Sequence, residues 1–320
     1  MREVFVPRFE AATGATVTLY SGWWDGIPKL KAAPAKQSPF DLMITDATQG
    51  YPAARDGLFA PIEFANVPNH KALAPAALEP WVFRDRIGLP YPDSVMTFAY
   101  HKELVATPPE RWSDLLRPEF DQKLGLYNAF YMSLYTFAAI LAASKDQPGT
   151  AHELIRTQMD EVFRFAREQR PRVKLWWPTS SDMILSLHDR SVVAGNMHSP
   201  EYLQALREKP VLGAAVPKDD RAMVQVFWAI PAGTREKTLA EKALDLLFSH
   251  ELQLEFARRG MATARPDTAA EMAKEDALWK SLYPHTEEQF KQLQYYPYDS
   301  YMEQWEQLAD RWDRTVLVKG

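Results

Sequence analysis

Two adjacent indoles, Trp23 and Trp24, sit in the glycine-flanked segment Ser21-Gly-Trp-Trp-Asp-Gly26. Aromatic faces in such a loop can stack on a cationic ligand, each contact contributing about 0.5–2 kcal/mol; the same rings could instead pack inward. Asp46, with Thr48 two residues on, follows the continuously apolar Leu42-Met-Ile44, which reads as a buried strand. In α/β sheets, ligands are met beyond the carboxyl ends of strands. Asp46 is therefore placed either to neutralise an ammonium group or to cap the helix that follows. Thr179-Ser-Ser-Asp182 reads as another helix start. Its exposed N–H groups and the hydroxyls of Ser180 and Ser181 would suit an anion.

Residue patterns for catalysis are weak by comparison. His152-Glu153 and His250-Glu251 lack the second histidine of the zincin helix. No Gly-x-Ser-x-Gly elbow and no phosphate-cradling glycine loop with lysine occurs. The 42 acidic residues offer no spacing that singles out a general acid and base. Cysteine is absent, which removes disulfides, thiolate ligands and thiol nucleophiles together. The sequence thus reads as no enzyme, with no cofactor and no metal site.

The elements that must position these residues alternate between strand and helix. A helix through Phe5 and Phe9 ends at Gly14, and Val17 to Tyr20 alternates as a half-buried strand would. Phe40 to Thr45 is a strand, followed by a helix from Tyr51 that Gly57 stops. Further strands are predicted at Val95 to Tyr100, Lys123 to Tyr127, Lys174 to Trp177, Val192 to Met197 and Val224 to Ile230. Helices are predicted over Ser133 to Ser144, His152 to Arg170, Asp182 to His188, Leu239 to Phe248, Glu251 to Arg259 and Ser300 to Leu317. This is α/β grammar with mainly parallel sheets. At 320 residues the chain exceeds one core, so two lobes are expected. A net charge of −5 gives no footprint for nucleic acid, and no apolar run reaches the ~18–20 residues of a membrane helix.

A set of segments then carries a resemblance. Phe9-Glu-Ala-Ala-Thr-Gly-Ala-Thr-Val17, Phe40-Asp-Leu-Met-Ile44, Gly57-Leu-Phe-Ala-Pro-Ile62 and Ile87-Gly-Leu-Pro-Tyr91 come first. Arg111-Trp-Ser-Asp-Leu-Leu-Arg-Pro118, Ala229-Ile-Pro-Ala-Gly233, the helix Ala243 to Ala257 and the closing helix Trp305 to Arg314 follow. In this order and spacing they resemble the bacterial periplasmic solute-binding receptors of ABC importers, in the branch with spermidine/putrescine-, thiamine- and ferric-binding proteins.

The resemblance implies a two-lobed periplasmic-binding-protein fold joined by crossover strands, with the ligand held between the lobes and hinge closure signalling to the transporter. It places residues 1–98 and 228–270 in a discontinuous first lobe, 99–227 in the second, and 271–320 in a C-terminal helical segment packing on the lobes. It adds Asp93 and Ser94 at the first crossover, and Gln225 and Phe227 at the second. It also adds Tyr127, Asn128 and Tyr131 after a strand of the second lobe, Trp177 before the Thr179 cap, and His198 and Tyr202 in Met-His-Ser-Pro-Glu-Tyr. Relatives that take polyamines carry paired acids where this chain has Tyr127 to Tyr131, so a long polyamine is disfavoured.

The expected ligand is a small cationic nitrogenous solute, polyamine- or thiamine-like, stacked by tryptophan and neutralised by Asp46 and Asp93; a phosphonate-like anion or ferric ion is the alternative. Outside the receptor class, a non-transport enzyme or a nonfunctional truncated remnant is the other reading. The partners are that ligand and a membrane permease, with no nucleic acid, and the receptor acts as a monomer. Relatives begin with a strand and a signal peptide that this chain lacks, which suggests a truncated or mis-assigned start of a periplasmic protein. The cluster Tyr295, Tyr296, Tyr298 and Tyr301 is read as packing.

Overall fold

The computed structural model describes residues 1–34, 37–91 and 94–317, and of Trp23 the backbone alone. The chain forms two compact units. The first comprises Met1–Asp93, Gln225–Glu275 and Pro284–Lys291; the second comprises Ser94–Val224, Asp276–Tyr283 and Gln292–Gly320. The strands in chain order are β1 (Met43–Asp46), β2 (Phe59–Ala60), β3 (Gly88–Tyr91), β4 (Met96–His101) and β5 (Leu124–Tyr127). They continue with β6 (Val173–Trp177), β7 (Ala194–His198), β8 (Leu212–Ala215), β9 (Arg221–Met223), β10 (Val226–Pro231) and β11 (Leu293–Tyr295).

In the first unit β10 is central. It pairs antiparallel with β1, β2 and β3, so every ladder described there is antiparallel where sequence patterning predicts parallel pairing. The three outer strands run in one direction, and β10, returning from the second unit, is inserted between β1 and β3. The register aligns Asp46 and Tyr91 with Val226, at the start of β10. Phe227 fills the core beneath, with ring centroids 6.3 Å from Phe59 and 5.9 Å from Phe83. A Cβ at Gly50 or Gly88 would collide with the Phe227 ring, so both positions favour glycine.

The helix Phe5–Thr13 ends as predicted, with Gly14 at φ 71°. Val17 to Tyr20 forms no ladder, contrary to its alternating pattern, and β1 pairs only with β10 among the described residues. With no strand alongside, the Val17 amide donates to Glu10 Oε1 instead (2.8 Å).

The second unit is built on a sheet of order β6-β5-β7-β4-β8. β5 is parallel to both β6 and β7, while β4 runs antiparallel to β7 and β8. The helix Phe130–Ser144 follows β5 and is buried on every side, from Phe130 through Ala142 with the exception of Tyr131. An all-round apolar helix is stable only as a core element.

The C-terminal segment supplies part of its cover. Tyr301 packs on Phe130 at 5.3 Å and donates to the Tyr131 carbonyl at 3.0 Å. Trp312 packs edge-on against Trp176 at 5.5 Å. The predicted helix from Ser300 to Leu317 is in fact two, Tyr298–Met302 and Trp305–Trp312, followed by a π turn at Asp313–Leu317. Among the described residues no helix is long and apolar enough to cross a membrane.

Candidate functional site

In the first unit, Asp46 ends β1 and caps the helix Ala47–Arg55. Its Oδ1 accepts the Gln49 amide at 3.0 Å and the Thr48 hydroxyl at 2.9 Å. Both Asp46 and Thr48 remain partly exposed. Beside them, the Ala47 amide donates to the Gln225 carbonyl (2.9 Å), and Tyr51 Oη donates to Gln225 Oε1 (2.7 Å). Gln225 is buried, and its Nε2 has no hydrogen-bond partner among the described residues. Trp24 lies in the turn Trp23–Asp25, 63% exposed, and its carbonyl accepts from Gln49 Nε2 at 3.3 Å. Asp46, Thr48, Gln225 and the Trp24 backbone thus gather at one end of the first sheet. Phe227 lies fully buried in the core below them, and Asp93 lies outside the described residues.

In the second unit the parallel strands β6, β5 and β7 end on Trp177, Tyr127 and His198, three neighbouring aromatic rings. Tyr127 lies 4.5 Å from Trp177 and 5.7 Å from His198, with Trp177 and His198 6.3 Å apart. Tyr131, one residue into the helix after β5, meets Tyr127 edge-on at 6.0 Å and stacks on Trp305 at 6.0 Å. Trp177 is 1% exposed and its Nε1 lacks a partner among the described residues, as does the buried Nε2 of the otherwise partly exposed His198. Burial pushes the His198 imidazole down to about 4, so it is neutral at physiological pH.

The backbone around these rings is tightly held. Asn128 donates its amide to the Trp177 carbonyl (3.1 Å), and its own carbonyl accepts Trp312 Nε1 at 2.7 Å. Asn196, buried on β7, accepts the Tyr127 amide at 3.0 Å. Its Nδ2 donates to Thr136 Oγ1 at 3.0 Å and Ser133 Oγ at 3.3 Å. Sequence reasoning missed Asn196; the signal was an asparagine inside the apolar run Val192 to Met197, because a buried amide must find partners.

The other expected residues occupy distinct places. Ser180 and Ser181 open the helix Ser180–His188, where Thr179 Oγ1 accepts the Asp182 amide at 3.3 Å and donates to Asp182 Oδ2 at 2.6 Å. Tyr202 is fully buried and donates to the Gly213 carbonyl at 2.9 Å; burial raises its phenol. Ser94 is buried and its carbonyl accepts the Val224 amide at 3.1 Å. Among the described residues no group of three or more histidine or acidic side chains could hold a metal ion.

Aromatic, imidazole and hydroxyl groups thus gather at the carboxyl ends of parallel strands, the place where α/β sheets meet their ligands. The chain belongs to the bacterial extracellular solute-binding proteins, whose family model matches residues 5–282. The family is one of solute-binding proteins, not of enzymes.

Among solved structures the chain is similar to the spermidine/putrescine ABC transporter substrate-binding protein of Streptococcus pneumoniae. The two are 18% identical with a TM-score of 0.77, over 97% of this chain and 94% of that one. An ABC transporter substrate-binding protein from Bradyrhizobium japonicum is 15% identical with a TM-score of 0.73, over 97% and 93%. AgtB from A. tumefaciens, in complex with agropinic acid, is 16% identical with a TM-score of 0.64, over 98% and 93%. At these identities the likeness is one of fold. No curated protein matches the sequence.

Proposed function

We propose that this chain is the solute-binding receptor of an ABC importer, that it works in the periplasm, and that it delivers its solute to a membrane permease. The solute is a small nitrogenous compound with at least one ammonium group, of polyamine or thiamine type. The observation that carries this reading is the group of rings on Tyr127, Trp177, His198 and Tyr131 at the strand ends of the second unit. Tyrosine and tryptophan faces attract cations, and a neutral imidazole does not repel them. Within the first unit taken by itself, the partly exposed Asp46 carboxylate offers a negative charge to an ammonium group.

Thermal denaturation with putrescine, spermidine, thiamine and a neutral sugar tests the reading. A ligand at about a hundred times its Kd adds ~2.7 kcal/mol, so the midpoint should rise with one of the amines. A rise with the sugar alone would overturn the nitrogenous assignment.

A further inference from the structure

The junction from β5 into the helix Phe130–Ser144 carries two of the rings, Tyr127 and Tyr131, and side chains hold three of its carbonyls. Ser133 Oγ donates to the Tyr127 carbonyl at 2.6 Å, Trp312 Nε1 to the Asn128 carbonyl at 2.7 Å and Tyr301 Oη to the Tyr131 carbonyl at 3.0 Å. Ser133 is local, whereas Tyr301 and Trp312 stand 170 and 184 residues further along the chain than the groups they hold. Both lie beyond residues 5–282, the part that matches the family model.

Tyr301 and Trp312 are 0% and 1% exposed, so each donor is withdrawn from solvent and depends on the carbonyl it meets. Burial raises the Tyr301 phenol well above its ordinary value, so it keeps the proton it donates. The same segment also meets the rings: Trp305 stacks on Tyr131 at 6.0 Å and packs edge-on against Phe130 at 4.6 Å. On its exposed flank, the segment is anchored to the helix Met159–Gln169. There Arg311 pairs with Asp160 at 2.6 Å and lies 4.1 Å from the centre of the Phe163 ring.

We propose that Tyr301 and Trp312 are positioning residues of the solute site: their hydrogen bonds to the Tyr131 and Asn128 carbonyls set where the rings of Tyr131 and Tyr127 stand. The attraction of a ring face for a cation depends on where the charge lies relative to the ring centre. Displacing the junction therefore weakens the site without removing any group that touches solute. The inference rests on the receptor reading for what the rings bind, while the hold on the junction is a property of the free chain.

Amide hydrogen exchange followed by NMR on the free full chain, and calorimetry with putrescine and thiamine, test the two halves. Tyr301→Phe and Trp312→Phe keep a ring and delete the donor. Each should speed exchange of the Tyr127 and Asn128 amides about tenfold or more relative to the amides of β4. Affinity for whichever amine the parent binds should fall about three- to tenfold. Arg311→Ala, which removes the exposed anchor and keeps both carbonyl donors, should leave affinity within about twofold. If Trp312→Phe does not fold, Tyr301→Phe, which removes a single oxygen, decides alone. Unchanged exchange at Tyr127 and Asn128 in the folded variants, or an affinity loss in Arg311→Ala equal to theirs, would overturn the inference and leave the receptor reading intact. Faster exchange with neither amine bound by the folded parent would support the hold on the junction and overturn the proposed solute class.

Discussion

The Asn196 side chain continues the β5–β7 pairing where the backbone ladder stops. Backbone pairing between these strands covers Leu124 with Ala194 and Gly125 with Gly195. Beyond it, Asn196 Oδ1 takes the Tyr127 amide at 3.0 Å. One amide thereby holds the Tyr127 end of β5 to β7, beside the ring of His198. Asn196→Ala would leave the Tyr127 amide, Ser133 and Thr136 each short of a buried partner. The expected loss is about 2–4 kcal/mol, and solute affinity should fall as Tyr127 loses its support. Chemical denaturation and calorimetry check the two effects separately; unchanged stability would show that the network is dispensable.

The close approach of the two strands depends on residues without a side chain. A Cβ at Gly195 would fall on the Gly125 carbonyl oxygen and against Met183, and one at Gly125 would meet the Met183 thioether. Gly195→Ala is therefore expected to cost more than about 3 kcal/mol, in the range of severe overpacking. Gly149→Ala, in a turn with open space around it, is expected to cost less and only through its φ of 89°. Denaturation midpoints of the two variants should differ in that order.

Much of the second unit was legible because its strands are short apolar runs bounded by polar turns. Lys174 to Trp177 and Val192 to Met197 lie almost on β6 and β7. Helix ends were legible where glycine marks them, as at Gly14. The antiparallel role of β10 was not, since the run Val224 to Ile230 has the same apolar character whichever direction it pairs. Nor was the fate of Val17 to Tyr20, because alternation predicts a half-buried strand only when another strand lies beside it. The site was legible as residue types after strands. Which rings meet was not, because Tyr127, Trp177 and His198 are distant in sequence and are brought together by the order β6-β5-β7.

Acid should destabilise the fold through two histidines whose imidazoles are largely withdrawn from solvent. His152 and His198 are both pushed down by burial to about 4. As the pH falls below about 6.5, the unfolded chain takes up protons that the folded chain refuses. Each histidine therefore removes up to ~3 kcal/mol of stability by pH 4. Asp220 acts in the opposite direction: burial raises it to about 6, so the folded state takes its proton first and gains stability as pH falls through that value. Its carboxylate accepts the Gly149 and Ala151 amides at 2.9 and 3.0 Å, which lessens the rise but does not cancel it. Midpoints measured from pH 7 to 4.5 should fall less steeply in His152→Gln than in the parent chain, and more steeply in Asp220→Asn. Parallel profiles for all three would refute the assignment.

Asp46 separates a structural duty from a binding one. Its Oδ1 accepts both the Gln49 amide and the Thr48 hydroxyl, and an asparagine offers the same oxygen in the same place. Asp46→Asn should therefore keep the cap and cost under about 1 kcal/mol, whereas Asp46→Ala should lose about that much with the cap. If the carboxylate is the counter-charge for an ammonium group, both variants should weaken binding of an amine solute by about tenfold or more. The weakening should shrink as salt rises only if the ion pair stays open to solvent. Equal affinity in the parent and Asp46→Asn, with Asp46→Ala less stable, would confine this carboxylate to the helix start. The ammonium group would then have to be held by aromatic faces alone, and Trp24→Ala, which removes a side chain 63% exposed, would become the variant that abolishes binding.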